Sequence, residues 1–216
     1  KISNGKWNWF SHGMGGTTAV DYLIKVQGLP FQEAVECVLR NVAGRSIVPP
    51  PPPKQEKREL ELPEPDRDNN AILRYLTGRG IDPDVLHQCI ADGHLYESRK
   101  YHNAVFLGFD ESRAPKYAAL RGTYGDFKGE APGSDKHYSF LLADRPNAQS
   151  VHLFECAIDA LSYATLLKMT GRDWMQAPLL SLAGVYKKKQ DMKLPIALGT
   201  FLESHKEIKT VLLHLD

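Results

Sequence analysis

The chain has 216 residues, with 27 Lys and Arg against 26 Asp and Glu, and 42% of its residues are hydrophobic. This length suits one medium domain, alone or with a small partner, and buries enough surface to fold without disulfides. A net charge of +1 excludes a histone-like protein that binds nucleic acid through bulk charge alone. No apolar run approaches the roughly 18–20 residues of a membrane span, so we expect no membrane partner. The three cysteines are odd in number and widely separated, which indicates reduced thiols and a cytoplasmic protein.

Residues 1–45 are predicted to form a small first unit. Its aromatic residues Trp7, Trp9 and Phe10 lie on a short strand-like stretch, and a glycine-rich turn follows at 13–16. Two helices with apolar faces come next. They are expected at about residues 19–28, with Thr17 or Thr18 as the N-cap, and at residues 31–39.

A linker is predicted over residues 46–68. Five consecutive prolines, Pro49–Pro53, favour a stiff polyproline II segment, and the charged stretch 54–68 has little to bury. A proline run can also bind an aromatic groove, but we interpret this one as a spacer.

Residues 69–216 are predicted to form the main domain in two parts. Residues 69–147 have the pattern of a mixed α+β subdomain, whereas residues 148–216 alternate strand and helix, which predicts a parallel sheet with flanking helices. The chain opens at Lys1 and closes on a strand-like run, so we expect a fragment of a longer protein. The expected helices are 70–77, 82–92, 158–169 and 194–205, and the expected strands are 104–109, 117–121, 138–142, 151–154, 179–183 and 211–215.

Three carboxylates lie at or near the strand ends of this alternating segment. Glu155 comes directly after one strand, Asp216 ends the last, and Asp159 lies one helical turn beyond Glu155. Because the carboxyl ends of parallel strands share one edge of a sheet, the three side chains would converge there. Hard oxygen ligands favour Mg²⁺ or Mn²⁺, but acidic residues also commonly cap helix N-termini, and spacing alone does not separate the two interpretations.

The stretch from Phe154 to Ser162 resembles the first signature of the Toprim domain, which bacterial primases, topoisomerases and some nucleases share. In this signature a glutamate follows an apolar strand and an aspartate comes four residues later. Residues 181–185 resemble the second strand and its glycine turn, and residues 211–216 resemble the strand that leads into the Asp-x-Asp pair, whose second aspartate lies beyond the chain. Cys156 stands where the family usually has glycine, so a looser turn is expected. The resemblance implies that Glu155 is catalytic and that Glu155, Asp159 and Asp216 hold the metal.

The resemblance extends upstream over nearly all of residues 70–216. Residues 103–106, 115–117 and 127–129 are similar to the region of bacterial primases that precedes Toprim. Residues 76–82, 116–123 and 133–136 are closer to a domain of unassigned function found in primase-like proteins of mobile elements.

The first unit resembles the end of the primase-type zinc-finger domain, through the glycine turn at 13–16 and the Phe-x-Glu-Ala-Val helix start at Phe31. The two cysteine positions of that domain fall on Trp9 and His12. Zinc needs about four ligands, and this stretch offers only His12. We therefore expect a zinc-finger-like fold that has lost its metal, with the aromatic residues filling its core or stacking on bases.

Basic residues near these motifs are candidates for phosphate contacts. The primase resemblance places its basic face on the extended segments and turns before residue 148, and Lys187 and Lys188 follow the second Toprim strand, where they either contact phosphates or form a solvated face. The histidines show no metal spacing, and a Cys156 nucleophile is rejected because neighbouring carboxylates disfavour the thiolate. The candidates on the earlier segments are Lys116, Arg121, Lys128 and Lys136.

Two functions remain open at this point. The first is a primase-like enzyme of a mobile element, acting in DNA replication on single-stranded DNA and nucleotides, with a helicase or mobilisation protein as partner. A Toprim nuclease would use the same acidic residues. The second is a non-catalytic accessory protein that binds DNA, which the lost zinc ligands favour.

Overall fold

This computed structural model describes residues 2–3, 6–42, 58–183 and 194–215. The chain divides into two compact units, residues 1–55 and 56–216, which are treated separately below. The proline run Pro49–Pro53, Lys187, Lys188 and Asp216 lie outside the described residues. None of the helices described is long and apolar enough to cross a membrane.

The first unit contains a three-stranded antiparallel sheet followed by two helices. Trp7 is buried at its centre and donates its indole N–H to the carbonyl oxygen of Thr18 at 3.2 Å. Gly16 permits this packing, since a Cβ there would lie 2.6 Å from the indole nitrogen. The elements are β1 (Ile2–Ser3), β2 (Lys6–Trp9), β3 (Met14–Gly16), α1 (Ala19–Lys25) and α2 (Phe31–Val42).

The aromatic residues of the first unit divide between core and surface. Trp7 fills the core, as one of the two sequence interpretations expects, whereas Trp9 and Phe10 are exposed. Thr18, and not Thr17, is the N-cap of α1, because it forms a reciprocal capping box with Asp21.

The second unit has a mixed α/β fold with two four-stranded sheets. Its helices are α3 (Asn70–Gly78), α4 (Pro83–Ala91), α5 (Ala157–Met169) and α6 (Ile196–Ser204). Its strands are β4 (Leu95–Glu97), β5 (Ala104–Phe109), β6 (Pro115–Arg121), β7 (Lys128–Glu130), β8 (Leu141–Leu142), β9 (Ser150–Phe154), β10 (Leu179–Ser181) and β11 (Thr210–His214).

The first sheet of this unit is antiparallel throughout, in the order β4-β5-β6-β7. Its central strand β5 is buried on both faces: Phe106 packs in the main core and Val105 in a smaller cluster on the other side. Leu60 packs against that smaller cluster, and the N–H of Glu61 donates to the carbonyl oxygen of Pro132. Part of the stretch 58–68, which the sequence places in a linker, therefore packs against this sheet.

The second sheet has the order β11-β9-β10-β8. The strands β11, β9 and β10 are parallel, as the strand–helix alternation predicts. The short strand β8 adds an antiparallel edge, which the alternation does not predict. Its two leucines explain this pairing, because Leu142 packs in the main core and Leu141 against the cluster around α6.

One hydrophobic core joins the two sheets. Phe106 and Phe140 meet edge to face with ring centroids 5.6 Å apart, and both belong to the cluster that contains Phe154 of the second sheet and Leu161 of α5. Gly108 allows β5 to lie close to the backbone of Tyr138, since a Cβ at this position would lie 2.0 Å from the carbonyl oxygen of Tyr138. The second unit therefore folds around a shared core.

A buried carboxylate holds the start of α3. The side chain of Glu97, 2% exposed, accepts the backbone N–H groups of Ala71 and Ile72 at Oε2, at 2.8 and 3.1 Å. These are N–H groups of the first helical turn, which have no partner within the helix. Glu97 thus supplies a cap from 25 residues away in sequence.

Replacing Glu97 by alanine should lower the free energy of unfolding by about 2–4 kcal/mol, because two buried N–H groups and the groups that contact the carboxylate lose their partner. Glu97→Gln keeps an acceptor oxygen and should cost less. Urea denaturation followed by circular dichroism measures both. Glu64→Gln, at an exposed ion pair with Arg99, is the matched control and should change stability by less than about 0.5 kcal/mol. Equal losses for Glu97→Ala and the control would contradict this role.

Candidate functional site

The parallel strands of the second sheet end at the same level. Phe154, the last residue of β9, lies opposite His214 of β11 and Ser181 of β10 in the strand register. Glu155 follows directly and is partly buried at this edge. The structure therefore places Glu155 at the carboxyl edge, beside the end of the strand that leads to Asp216.

Asp159 lies in the first turn of α5 and is exposed. Its Oδ2 accepts the backbone N–H of Cys156 at 3.1 Å, in a capping box. Asp159 therefore caps the start of α5, as one of the two sequence interpretations expects.

Cys156 occupies the turn between β9 and α5. Its backbone is extended, with φ −142° and ψ 168°, a conformation open to any residue. The turn therefore does not require glycine at this position. Desolvation first, and then the Asp159 carboxylate, raise the pKa of the Cys156 thiol to about 11. The thiol is protonated at neutral pH, in agreement with its rejection as a nucleophile.

Two histidines link β9 to β11 beneath this edge. His152 Nδ1 lies 2.8 Å from His214 Nε2, and the His214 ring stacks on Phe154 with a centroid distance of 4.8 Å. Desolvation lowers the pKa of both imidazoles, and the proximity of His214 lowers that of His152 further. The pair is therefore neutral at neutral pH and shares a hydrogen bond across the two strands.

The predicted basic residues of the first sheet differ in their partners. Lys116 pairs with Asp110 at 3.3 Å and Lys136 with Glu130 at 2.7 Å, so carboxylates offset both charges. Arg121 instead donates Nε–H to the hydroxyl oxygen of Tyr75 at 3.1 Å. Lys128 is exposed and lies directly opposite Arg121 on the neighbouring strand, so the two side chains share one face of the sheet.

Further cations lie near Arg121, and the sequence analysis missed them. Arg74 donates Nη2–H to the hydroxyl oxygen of Tyr124 at 3.3 Å, and the Arg79 guanidinium lies 5.8 Å from the ring centroid of Tyr75. The spacing of Tyr75 in α3 and Arg79 at its C-cap, four residues apart, is a signal that could have found part of this group.

A second cluster combines two carboxylates and an imidazole. His102 Nδ1 lies 2.6 Å from Glu97 Oε1 and 3.1 Å from Asp66 Oδ2, and the three groups are close enough to hold a metal ion. The sequence assigned His102 no chemistry. Because the other oxygen of Glu97 caps α3, the cluster already has a structural role.

Comparison with known families gives one match. Residues 74–145, one third of the chain, match the model of the family described as "Protein of unknown function (DUF3991)". This match falls on the stretch where the sequence resembles a domain of unassigned function. No curated protein matches the chain.

Solved structures that are similar to the chain include two primase structures. The primase fragment of the bacteriophage T7 primase-helicase protein is 13% identical, with a TM-score of 0.47, over 78% of this chain and 63% of that one. The primase of Aquifex aeolicus, with its zinc-binding and RNA polymerase domains, is 14% identical, with a TM-score of 0.41, over 98% of this chain and 60% of that one. The chain thus spans less than two thirds of each of these structures.

The raised pKa of Cys156 predicts slow alkylation. In a variant with Cys37→Ser and Cys89→Ser, the rate with iodoacetamide should rise with pH up to about 11, since about one thiol in a thousand is ionised at pH 8. Asp159→Asn removes the neighbouring charge while keeping an acceptor for the cap, so it should lower the pKa and speed alkylation. Mass spectrometry of quenched samples measures the rates. A pH profile centred near 8.5 would contradict the assignment.

Proposed function

We propose that the second unit is a primase-like, Toprim-type module that processes DNA with Mg²⁺ or Mn²⁺ held by Glu155, Asp159 and Asp216. The observation that carries this proposal is the in-register parallel pairing of β9 with β11, whose ends lie level at His214 and Phe154. This pairing puts Glu155 at the edge where β11 ends.

The donor chemistry fits such a metal. Carboxylate oxygens are the ligands that Mg²⁺ prefers, and it is usually bound by one or two carboxylates together with substrate phosphates. When bound, the metal would polarise a phosphate and activate an attacking oxygen. Glu155 and Asp159 would supply negative charge at one edge of the sheet. The same groups serve nucleotide addition and strand cleavage, since both are in-line displacements at phosphorus.

The remaining sequence predictions complete this proposal. Arg121, Lys128, Lys116 and Lys136 contact phosphates, with the first two better placed because no carboxylate offsets their charge in the described part of the chain. Lys187 and Lys188 stay candidates for the same role. Single-stranded DNA, nucleotides and a replication partner such as a helicase are the proposed partners, in a protein of a mobile element.

A non-catalytic DNA-binding function is the second candidate, and the first unit favours it. The rings of Trp9 and His12 contact each other with centroids 3.9 Å apart, at the two positions where the zinc-finger resemblance places cysteines. An aromatic contact between these residues takes the place of two metal ligands. A zinc site is therefore not part of the proposal.

Charge removal at Glu155 separates the two candidates. We expect the protein to bind Mg²⁺ or Mn²⁺ in a calorimetric titration, and Glu155→Gln to weaken this binding at least tenfold, because an uncharged amide is a poor ligand for a hard cation. Glu203→Gln, at an exposed glutamate of α6, is the matched control and should bind the metal like the wild type.

The same variants are then assayed for incorporation of labelled nucleotides on single-stranded DNA and for cleavage of labelled DNA. Loss of either activity in Glu155→Gln, with unchanged thermal unfolding and unchanged DNA affinity, would support the enzyme. Metal binding that survives in Glu155→Gln would contradict the proposed site and leave the DNA-binding function.

A further inference from the structure

The cluster of Asp66, Glu97 and His102 shares no residue with the carboxylate edge. Its three ligand atoms, one from each side chain, all lie within 4.8 Å of one another. The residues come from different segments: Asp66 from the stretch before α3, Glu97 from the end of β4, and His102 from the loop before β5. No local spacing connects them, so the sequence alone gives no indication of this group. We call it the carboxylate–imidazole cluster.

Backbone hydrogen bonds hold the three segments in place. The N–H of Asp66 donates to the carbonyl oxygen of Glu97 at 2.8 Å, which makes these two residues neighbours. The turn after β4 closes on itself: the N–H of His102 donates to the carbonyl oxygen of Ser98 at 2.9 Å, and the N–H of Ser98 donates to that of Asn103 at 2.9 Å. This turn returns the imidazole to Glu97. The main chain therefore presents all three side chains to one point.

The negative charge of the cluster exceeds the positive charge that faces it. The side chain of Glu97 is 2% exposed and that of Asp66 is 18% exposed, so both carboxylates are largely removed from water. In the described part of the chain, His102 is the one basic residue within 4 Å of either carboxylate. The N–H groups of α3 that Glu97 accepts are dipoles and leave its net charge unchanged.

A protonated imidazole would supply one positive charge against two negative charges, whereas a divalent cation supplies two. Removing one carboxylate charge from water without a matching cation costs several kcal/mol, on the order that separates a stable from an unstable site. The charge balance therefore favours a divalent cation between the carboxylates.

The donor set favours Zn²⁺ among divalent cations. Imidazole nitrogen is a common ligand of zinc, whereas Mg²⁺ and Ca²⁺ prefer oxygen alone. Ligand atoms on one tetrahedral zinc lie roughly 3.3 Å apart, given bonds of about 2.0–2.1 Å. His102 Nδ1 already lies 3.1 Å from Asp66 Oδ2, and its 2.6 Å separation from Glu97 Oε1 has to widen by about 0.7 Å. The imidazole side chain is 44% exposed, which leaves it room to move outward.

We propose that Asp66 Oδ2, Glu97 Oε1 and His102 Nδ1 bind Zn²⁺, with water as the fourth ligand. The ion takes the place of the proton between Nδ1 and Glu97, and the imidazole keeps a proton on Nε2. The other oxygen of Glu97 continues to cap α3. The zinc would join the stretch before α3 to β4 and to the turn before β5. This proposal depends neither on the metal proposed at Glu155 nor on DNA as the substrate.

The test titrates the metal-free full chain with Zn²⁺ against a chromophoric chelator and examines the bound ion by X-ray absorption. We expect one strongest site per chain. Its nearest ligands should be nitrogen and oxygen at about 2.0–2.1 Å, without a sulfur at about 2.3 Å.

Variants of two ligands test the assignment. Asp66→Asn and His102→Asn should each weaken zinc binding at least about tenfold, because each removes one of three protein ligands. Asparagine suits position 102, whose backbone has a φ of 51°, since it tolerates the left-handed region. Glu97 is kept because its loss would also uncap α3. Circular dichroism verifies that each variant is folded.

His137→Asn is the matched control. Its Nδ1 lies 2.6 Å from a carboxylate oxygen of Asp135, as close as His102 Nδ1 lies to Glu97. Among the described residues, however, this pair does not belong to a group of three that could hold a metal ion. The control should therefore bind zinc like the wild type.

Three results would overturn the proposal: no zinc bound by the wild type, equal losses in His102→Asn and His137→Asn, or a sulfur ligand, which would place the ion at a cysteine. Glu155→Gln should keep the zinc, and His102→Asn should keep the Mg²⁺ binding expected at the carboxylate edge. A failure of this proposal is thus distinguishable from a failure of the proposed function.

Discussion

The second sheet depends on β9, a strand buried on both faces. Val151 and Leu153 pack in the cluster around α6, whereas Phe154 packs in the core shared with the first sheet. A shift of β9 by one residue in its pairing would turn each of these apolar side chains to the opposite face of the sheet. The two faces of β9 are therefore strongly determined, and its pairing with β11 ends at Phe154, directly before Glu155.

The parts of the fold that the sequence predicts best are those with a local signal. The apolar strand at 151–154 and the following helix are recognisable because the hydrophobic period changes from short continuous runs to helical spacing. The strand β8 has no such signal, since its two leucines are explained only by clusters that form on opposite sides of the completed sheet. Leu60 is similar, because two leucines in a charged stretch give no local indication of the sheet against which Leu60 packs.

The candidate site shows the same difference between features with a local sequence signal and features that depend on tertiary contacts. The positions of Glu155 and Asp159 follow from strand and helix boundaries, which are local. Whether a basic residue keeps its charge available depends on tertiary neighbours: Lys116 faces Asp110, whereas Arg121 faces Tyr75, 46 residues away in sequence. Composition and spacing do not distinguish these two cations, although their electrostatic surroundings are opposite. The sequence can thus name candidate phosphate contacts, but only the fold can rank them.

The cluster of Asp66, Glu97 and His102 connects α3 with the turn between β6 and β7. Glu97 caps the helix that carries Arg74, and His102 accepts at its carbonyl oxygen the hydroxyl of Thr123, at 2.8 Å, beside Tyr124. The rings of His102 and Tyr124 also meet edge to face at 6.0 Å. One buried carboxylate and its histidine partner therefore connect α3 with the turn that joins β6 to β7. Glu97 is buried and contacts both α3 and His102, so it positions the helix relative to the residue that bonds the β6–β7 turn.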